Sequence, residues 1–205
     1  MGNQRPGAWQ EQLDAQCQVV SLRQALAHGI SRKSVETRAR KGEWQRLYRG
    51  TYATFSGEPP RGALLWAVVL RAGDDAVLSH ETAAELQGLL DEPSGHIHVT
   101  VPAGQNPARK GELPGVVVHR SRHVRRQAST GGPPQLPRTP IEVTVMDMVA
   151  AAKSLDAVRR VLREAVTRRL ASVDVLRVEA AGRKRLSRRA QIDRELANLD
   201  VRGPA

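Results

Sequence analysis

The sequence predicts an α+β fold in two parts: three short helices closed by a β-hairpin, then a mixed helical domain with a small β-sheet. Three observations carry this expectation. Apolar residues recur at helical spacing between capping serines and glycines over residues 8–41. An alternating stretch, WQRLYRGTYAT, follows at residues 44–54 with Arg49-Gly50 near its turn. Further on, the strand-like runs HIHVTV and GVVVHRS are interleaved with amphipathic helices. The intervening SGEPPRG at 56–62 reads as a linker. The expected domains are therefore residues 1–56, with a winged helix-turn-helix plan, and residues 57–205.

In the first part, residues 1–7 look frayed. A first helix spans 8–16, with Trp9 and Leu13 on one face. Val19-Val20 is a short extended step. Ser21 caps a helix over 22–28, which Gly29 stops. Ile30 and Ser31 open a third helix that runs to about Lys41, where Gly42 ends it. In the second part, ALLWAVVLRAG is apolar almost all round and reads as a buried helix. AVLS is a short strand. HETAAELQGLL is a helix with Ala83, Leu86 and Leu90 inward. In HIHVTV, Ile97, Val99 and Val101 share one face. A loop rich in Pro and Gly follows, then a strand at GVVVHRS, then an irregular segment whose least ordered part is Gly131-Gly132-Pro133-Pro134. TPIE signals a helix start, with Thr139 as cap and Glu142 completing a capping box. Ser154 caps a helix with Val158, Val161, Leu162 and Ala165 inward. Ser172 begins a short helix, and Ile192, Leu196 and Leu199 face inward on the last one.

The 205 residues carry a net charge of +11, and 40% are hydrophobic. A core of Val, Leu, Ala and Ile is therefore expected, since aromatics are only 3%. No apolar run is long enough to span a membrane and no signal-peptide pattern opens the chain, so a cytoplasmic protein is expected. Cys17, the sole cysteine, excludes an intramolecular disulfide and a Cys-rich zinc site; a partly buried plain thiol is expected. The charge is unevenly spread. Residues 1–56 hold nine basic and four acidic side chains, 57–120 hold five and eight, and 121–205 hold eighteen and nine. Two basic ends around an acidic middle suit contact with a polyanion.

Geometry gives the third helix a specific use. A helix that enters a DNA groove needs an apolar stripe behind and polar donors in front. With Ser31 as cap, Ile30 and Val35 form a hydrophobic staple, and Val35 and Ala39 share the inner face. Lys33, Thr37 and Arg40 fall opposite, flanked by Glu36 and Lys41. Lys33, Ser34 and Thr37 lie towards the N-terminal half, which usually meets base edges, and Arg40 and Lys41 suit phosphate; Ser31 and Arg32 at the helix start are also expected to contact DNA. In the hairpin, Arg46 and Arg49 are expected phosphate clamps, and strict alternation prevents Leu47 and Tyr48 from both pointing inward. The plain alternative is a solvated basic helix on a small helical domain. The hairpin directly after the helix favours DNA.

VVSLRQALAHGISRKSVETRARKGEWQRLYRGTYAT at 19–54 resembles the N-terminal winged helix of AbiEi-type antitoxins of actinobacterial type IV toxin–antitoxin systems. The resemblance continues through AVLSHETAAELQGLL, HIHVTVPAG, GVVVHRS and PRTPIEVTVMDMV. It implies a repressor of the antitoxin–toxin operon that binds double-stranded operator DNA, expected to be an inverted repeat. It also implies a C-terminal domain required for antitoxic activity, and a functional link to a nucleotidyltransferase-like toxin without a stable complex. Many relatives carry an additional endonuclease-like domain, which would begin near Ala205. No convincing pair of spaced acids plus a Lys follows Leu186, so enzyme activity is not expected; a nuclease or its remnant is the alternative.

Other chemistry has weaker support. His96 and His98 are two apart in a strand-like run, and His119 lies in the next one. A polar strand face covered by a loop explains them, and no metal or cofactor is expected. Ser79-His80 lacks the small neighbours of a nucleophile elbow, so Ser79 is expected to cap a helix. Asp74-Asp75 has no supporting acid or base, and no phosphate-binding glycine loop is present. The arginines over 159–169 and 183–189 fit either a second polyanion surface or a solvated basic face.

Overall fold

The computed structural model describes residues 7–107, 113–127 and 135–202. The start expected to fray and the Gly131–Pro134 stretch fall outside them, except Gly7. By packing, the chain forms two units. One is Met1–Leu78, Val99–Val124 and Ala128–Pro137; the other is Ser79–His98, Arg125–Gln127 and Arg138–Ala205. Packing thus does not divide the chain at residue 56, because the helix after the SGEPPRG segment folds back onto the sheet before it.

The first unit opens with α1 (Ala8–Ala15), β1 (Val19–Ser21), α2 (Leu22–Ala27), α3 (Arg32–Arg40), β2 (Gln45–Tyr48) and β3 (Thr51–Ala53). The strands form an antiparallel sheet in the order β1-β3-β2. The short step at Val19-Val20 is therefore a full member of the hairpin's sheet, paired as Val19↔Ala53 and Val20↔Tyr52. Ser21 ends β1 and begins α2 through a capping box. Its hydroxyl accepts the Gln24 amide at 3.2 Å, and the Gln24 side chain accepts the Ser21 amide at 2.9 Å.

Alternation along β1 gives this sheet two covered faces. Val20 joins Leu13, Ala25, Val35, Trp44 and Tyr52 in one cluster, with Trp9, Leu22, Ile30 and Ala39 packed against it. Val19 joins Ala53, Ala63, Trp66 and Ala67 in another, built on α4 (Arg61–Ala72). Leu47 and Tyr48 both pack on that second cluster. Alternation forbids this, but a register shift between Arg46 and Tyr48 breaks the alternation, as a β-bulge does. Cys17 is exposed, not partly buried. It and Gln18 take left-handed conformations (φ 50° and 60°) in the turn after α1, which carries the thiol outward. A second sheet has the order β4-β5-β6, from β4 (Val77–Leu78), β5 (Ile97–Pro102) and β6 (Val116–Ser121). Val77 pairs with Thr100 and Leu78 with Val99.

The second unit is helical: α5 (His80–Leu86), α6 (Ile141–Ala151), α7 (Leu155–Thr167), α8 (Val173–Gly182) and α9 (Arg189–Arg202). Its core gathers Leu89, Val145, Met146, Val158, Leu162, Leu176, Ile192 and Leu196. Each fully buried Leu or Ile contributes roughly 1.5–3 kcal/mol. Ser154 and Ser172 cap α7 and α8, accepting the amides of Ala157 and Val175. Two expected details differ. The first is the end of α5 at Leu86: Gly88 turns the chain with φ 73°, so Leu89 is buried and Leu90 only half-buried. The second is the start of α6. Pro140 takes its cap position, leaving Thr139 outside, where its hydroxyl meets Thr144 at 2.7 Å; Glu142 pairs with Arg125 at 2.9 Å instead of closing a capping box. No helix among the described residues is long and apolar enough to cross a membrane.

Candidate nucleic-acid interface

The seat of α3 is built by its flanks. Gly29 (φ 79°) turns the chain after α2, and the Ile30 amide bonds back to the Ala25 carbonyl at 3.0 Å. Ser31 then caps α3 by accepting the Ser34 amide at 3.1 Å. Val35 is wholly buried, with Ile30 against the same cluster, which is the staple the spacing predicts. Gly42 (φ 74°) closes the helix.

With Val35 and Ala39 turned inward, the opposite face is left to polar groups. Arg32, Lys33, Glu36 and Arg40 are exposed, and Ser34 and Thr37 are half-buried. Ser31, Lys33, Ser34, Thr37, Arg38, Lys41 and Glu43 line one shallow groove of about 380 Å³. Residues 31–41 hold five basic side chains and one acidic. The nearest ion pair is Lys41 with Glu43 at 4.0 Å, both more than half exposed, so water and salt screen it.

Arg38 is the residue that periodicity missed. It is half-buried, with its guanidinium 5.3 Å from the Trp44 ring centroid. Six residues is not a helical spacing. The contact exists because the chain doubles back after Gly42, and the amides of Glu43 and Trp44 both donate to the Arg38 carbonyl. Trp44 in turn stacks on Trp9, 6.3 Å between centroids.

On the hairpin, Arg46 and Arg49 are exposed, while Thr51, Tyr52 and Ala53 of β3 are buried. Gly50 (φ 78°) forms the turn. Burial pushes the Tyr48 phenol above its ordinary range, and its hydroxyl donates to the Pro114 carbonyl at 3.4 Å. The structure thus gathers Ser31, Lys33, Ser34, Thr37 and Lys41 along the groove. It leaves Arg32 and Arg40 exposed on the same helix and places Arg46 and Arg49 on the ribbon that follows. The Ser31 hydroxyl also serves as the helix cap.

The arginine-rich helices of the second unit look different. Arg159 bonds Glu195 at 2.8 Å, and Arg168 bonds Asp91 at 2.7 Å and Glu164 at 2.8 Å. Arg183 bonds Asp147 at 2.8 Å and Glu179 at 3.1 Å. Arg188 donates to the carbonyls of Ala152 and Lys153. Much of this charge is committed to the fold.

The histidines also rearrange. β5 begins at Ile97, so His96 is exposed and outside it. The imidazole beside His98 is His80, with centroids 5.7 Å apart. Burial, opposed by Glu81 and aided by His96, lowers the His98 pKa and favours its neutral form. Ser79 sits at the cap position of α5, but its hydroxyl does not cap; it contacts His80 Nδ1 at 3.0 Å.

With this geometry in place, residues 12–54 match the model of a family described as transcriptional regulator, AbiEi antitoxin. They run from within α1 through the end of the hairpin, and so include the capped α3 and its groove. No curated protein matches the sequence. Among solved structures, the chain is similar to the RV2827C protein from Mycobacterium tuberculosis, with 20% identity, a TM-score of 0.35, and 87% of this chain and 75% of that chain covered.

Proposed function

We propose that the chain is a DNA-binding transcriptional repressor that serves as antitoxin and autoregulator of a type IV toxin–antitoxin operon. One observation carries the reading: within the AbiEi-type segment, a helix seated by Ile30 and Val35 turns Lys33, Thr37 and Arg40 away from the core, and an arginine-bearing hairpin follows directly. Lys33, Ser34 and Thr37 would read base edges, with Ser31 and Arg32 beside them at the helix start. Arg40, Lys41, Arg46 and Arg49 would hold phosphates. Arg38, braced on Trp44, joins that set because it lines the same groove.

In this reading residues 1–56 bind an inverted-repeat operator and residues 57–205 supply the antitoxic function. The protein works in the cytoplasm, is not an enzyme, and opposes a nucleotidyltransferase-like toxin without needing a stable complex. A reporter driven by the gene's own upstream region tests the first half. Repression by the wild-type chain, relieved by Lys33→Ala with Arg40→Ala, is the expected result. Co-expression with an adjacent nucleotidyltransferase-like gene tests the second: growth should be restored. Metal-dependent cleavage of duplex DNA that an acid-to-Ala change abolishes would replace this reading with a nuclease.

A further inference from the structure

We propose that a cleft in the first unit binds a small phosphate ester that carries hydroxyl groups beside its phosphate. The cleft holds about 840 Å³, within the roughly 300–1,000 Å³ of small-molecule sites. The hairpin turn at Gly50, the start of α2, the end of α4, the loop after β5 and one residue of β6 line it. All of these belong to the first unit. The cleft shares no lining residue with the groove on α3.

The charge of the lining suits an anion. Among the described residues it holds Arg23, Arg71 and Arg120 against one acid, Asp74, and Arg23 already pairs with that acid. Arg120, on β6, is exposed and enters no ion pair among the described residues. Arg71 is the most buried of the three. It keeps 8% of its surface, and its guanidinium donates to the Pro107 carbonyl at 3.0 Å, which fixes it in the wall. Burial, and then the charge of Arg49, push its pKa below the ordinary guanidinium value, yet an arginine stays protonated. A bound anion would offset both costs. The C-terminal end of α4 also borders the cleft and carries about half a negative charge, which the guanidiniums exceed.

An uncharged group defines the rest of the ligand. Asn106, on the loop after β5, lines the same cleft, and its Oδ1 is buried and makes no hydrogen bond among the described residues. A buried acceptor is costly until a donor reaches it. A hydroxyl of the ligand supplies that donor while the phosphate meets Arg71 and Arg120. No aromatic side chain lies in the described lining, so a stacked base is not what the cleft selects. A DNA backbone offers the same phosphate chemistry. Duplex phosphates lie on a convex surface and meet exposed side chains, whereas a phosphate that reaches Arg71 must enter the recess.

The test titrates the full chain at low salt with ribose 5-phosphate, by calorimetry, beside ribose and inorganic phosphate. Saturable binding of one equivalent of ribose 5-phosphate, and none of ribose, is expected. Arg71→Gln should abolish it, and Arg120→Ala, at an exposed position, should weaken it at least about tenfold. Circular dichroism checks that each variant is folded; if Arg71→Gln unfolds the chain, Arg120→Ala decides alone. Asn106→Ala should weaken ribose 5-phosphate and leave inorganic phosphate as it was. Lys33→Ala with Arg40→Ala should leave ribose 5-phosphate binding unchanged, which keeps this site separable from the DNA reading. Failure of the wild-type chain to bind ribose 5-phosphate, binding unaltered by Arg120→Ala, or an Asn106→Ala variant that binds it as wild type does would overturn the proposal. So would a wild-type chain indifferent to ribose 5-phosphate whose affinity for the upstream duplex falls in Arg71→Gln, since the cleft would then serve the DNA backbone.

Discussion

On α3, Arg32, Lys33 and Arg40 are exposed and enter no ion pair among the described residues, whereas Arg159 on α7 and Arg168 just past its end reach Glu195 and Asp91 at 2.8 and 2.7 Å. Both stretches carry clustered arginines. The difference lies in what surrounds them. α7 has Asp156, Glu164, Glu195 and Asp91 within reach, and its arginines fasten one segment to another. α3 has Glu36 on its own surface and Glu43 beside Lys41. A basic helix is therefore a signature of polyanion binding only where acids have not already claimed its charge.

The largest effect that would break or sharpen this contrast is on DNA. Lys33→Ala with Arg40→Ala should cost about 2–6 kcal/mol of affinity for the upstream duplex, measured by fluorescence anisotropy, with the fold unchanged. Arg159→Ala with Arg168→Ala, whose guanidiniums are held by Glu195 and Asp91, should change that affinity far less. Equal losses in the two variants would erase the distinction.

Next come the charges spent on structure. Arg183 meets Asp147 with both side chains only 20% exposed. Arg183→Ala should destabilise the chain by roughly 2–4 kcal/mol in denaturant titration, since a partly buried carboxylate loses its partner. The pH dependence has a definite sign. Burial raises the Asp147 carboxyl above its ordinary range, with Arg183 opposing the rise. The folded state then binds the proton more tightly than the unfolded chain. Asp147's contribution to stability is present below the ordinary carboxylate pKa and is lost as pH rises through the higher folded value. Without Arg183 that rise should be larger, so the variant's deficit should shrink on acidification.

A smaller effect separates the seat of α3 from its charge. Val35→Ala removes wholly buried methyls and should cost about 2 kcal/mol in thermal unfolding. DNA affinity should fall only as the domain unfolds. Smaller still, Arg38→Ala should cost about 0.5–1 kcal/mol by loosening Trp44, again read by denaturant titration.

Local patterns made α3 legible. Ser31, Val35 and Gly42 each act within one turn of themselves, so the cap, the staple and the stop could be placed by spacing alone. What stayed hidden depends on pieces far apart in the chain. The bulge that turns Leu47 and Tyr48 to one side depends on how β2 registers on β3, which no period-two pattern encodes. The Arg38–Trp44 contact depends on the path after Gly42. The pairing of His80 with His98 joins a helix start to a strand 18 positions later, while the sequence offered His96 as the nearer partner. The salt bridges of α7 likewise needed Asp91 and Glu195, which lie in other elements.

The central claim is tested most directly by competition. The wild-type chain is bound to a labelled duplex from its own upstream region at fixed, near-physiological salt, then challenged with unlabelled upstream or scrambled duplex. The account predicts that the upstream competitor displaces the label at a concentration at least about a thousandfold lower than the scrambled one, and that Lys33→Ala with Arg40→Ala removes the difference. Equal displacement by both duplexes, or an undiminished preference in the α3 variant, would contradict it.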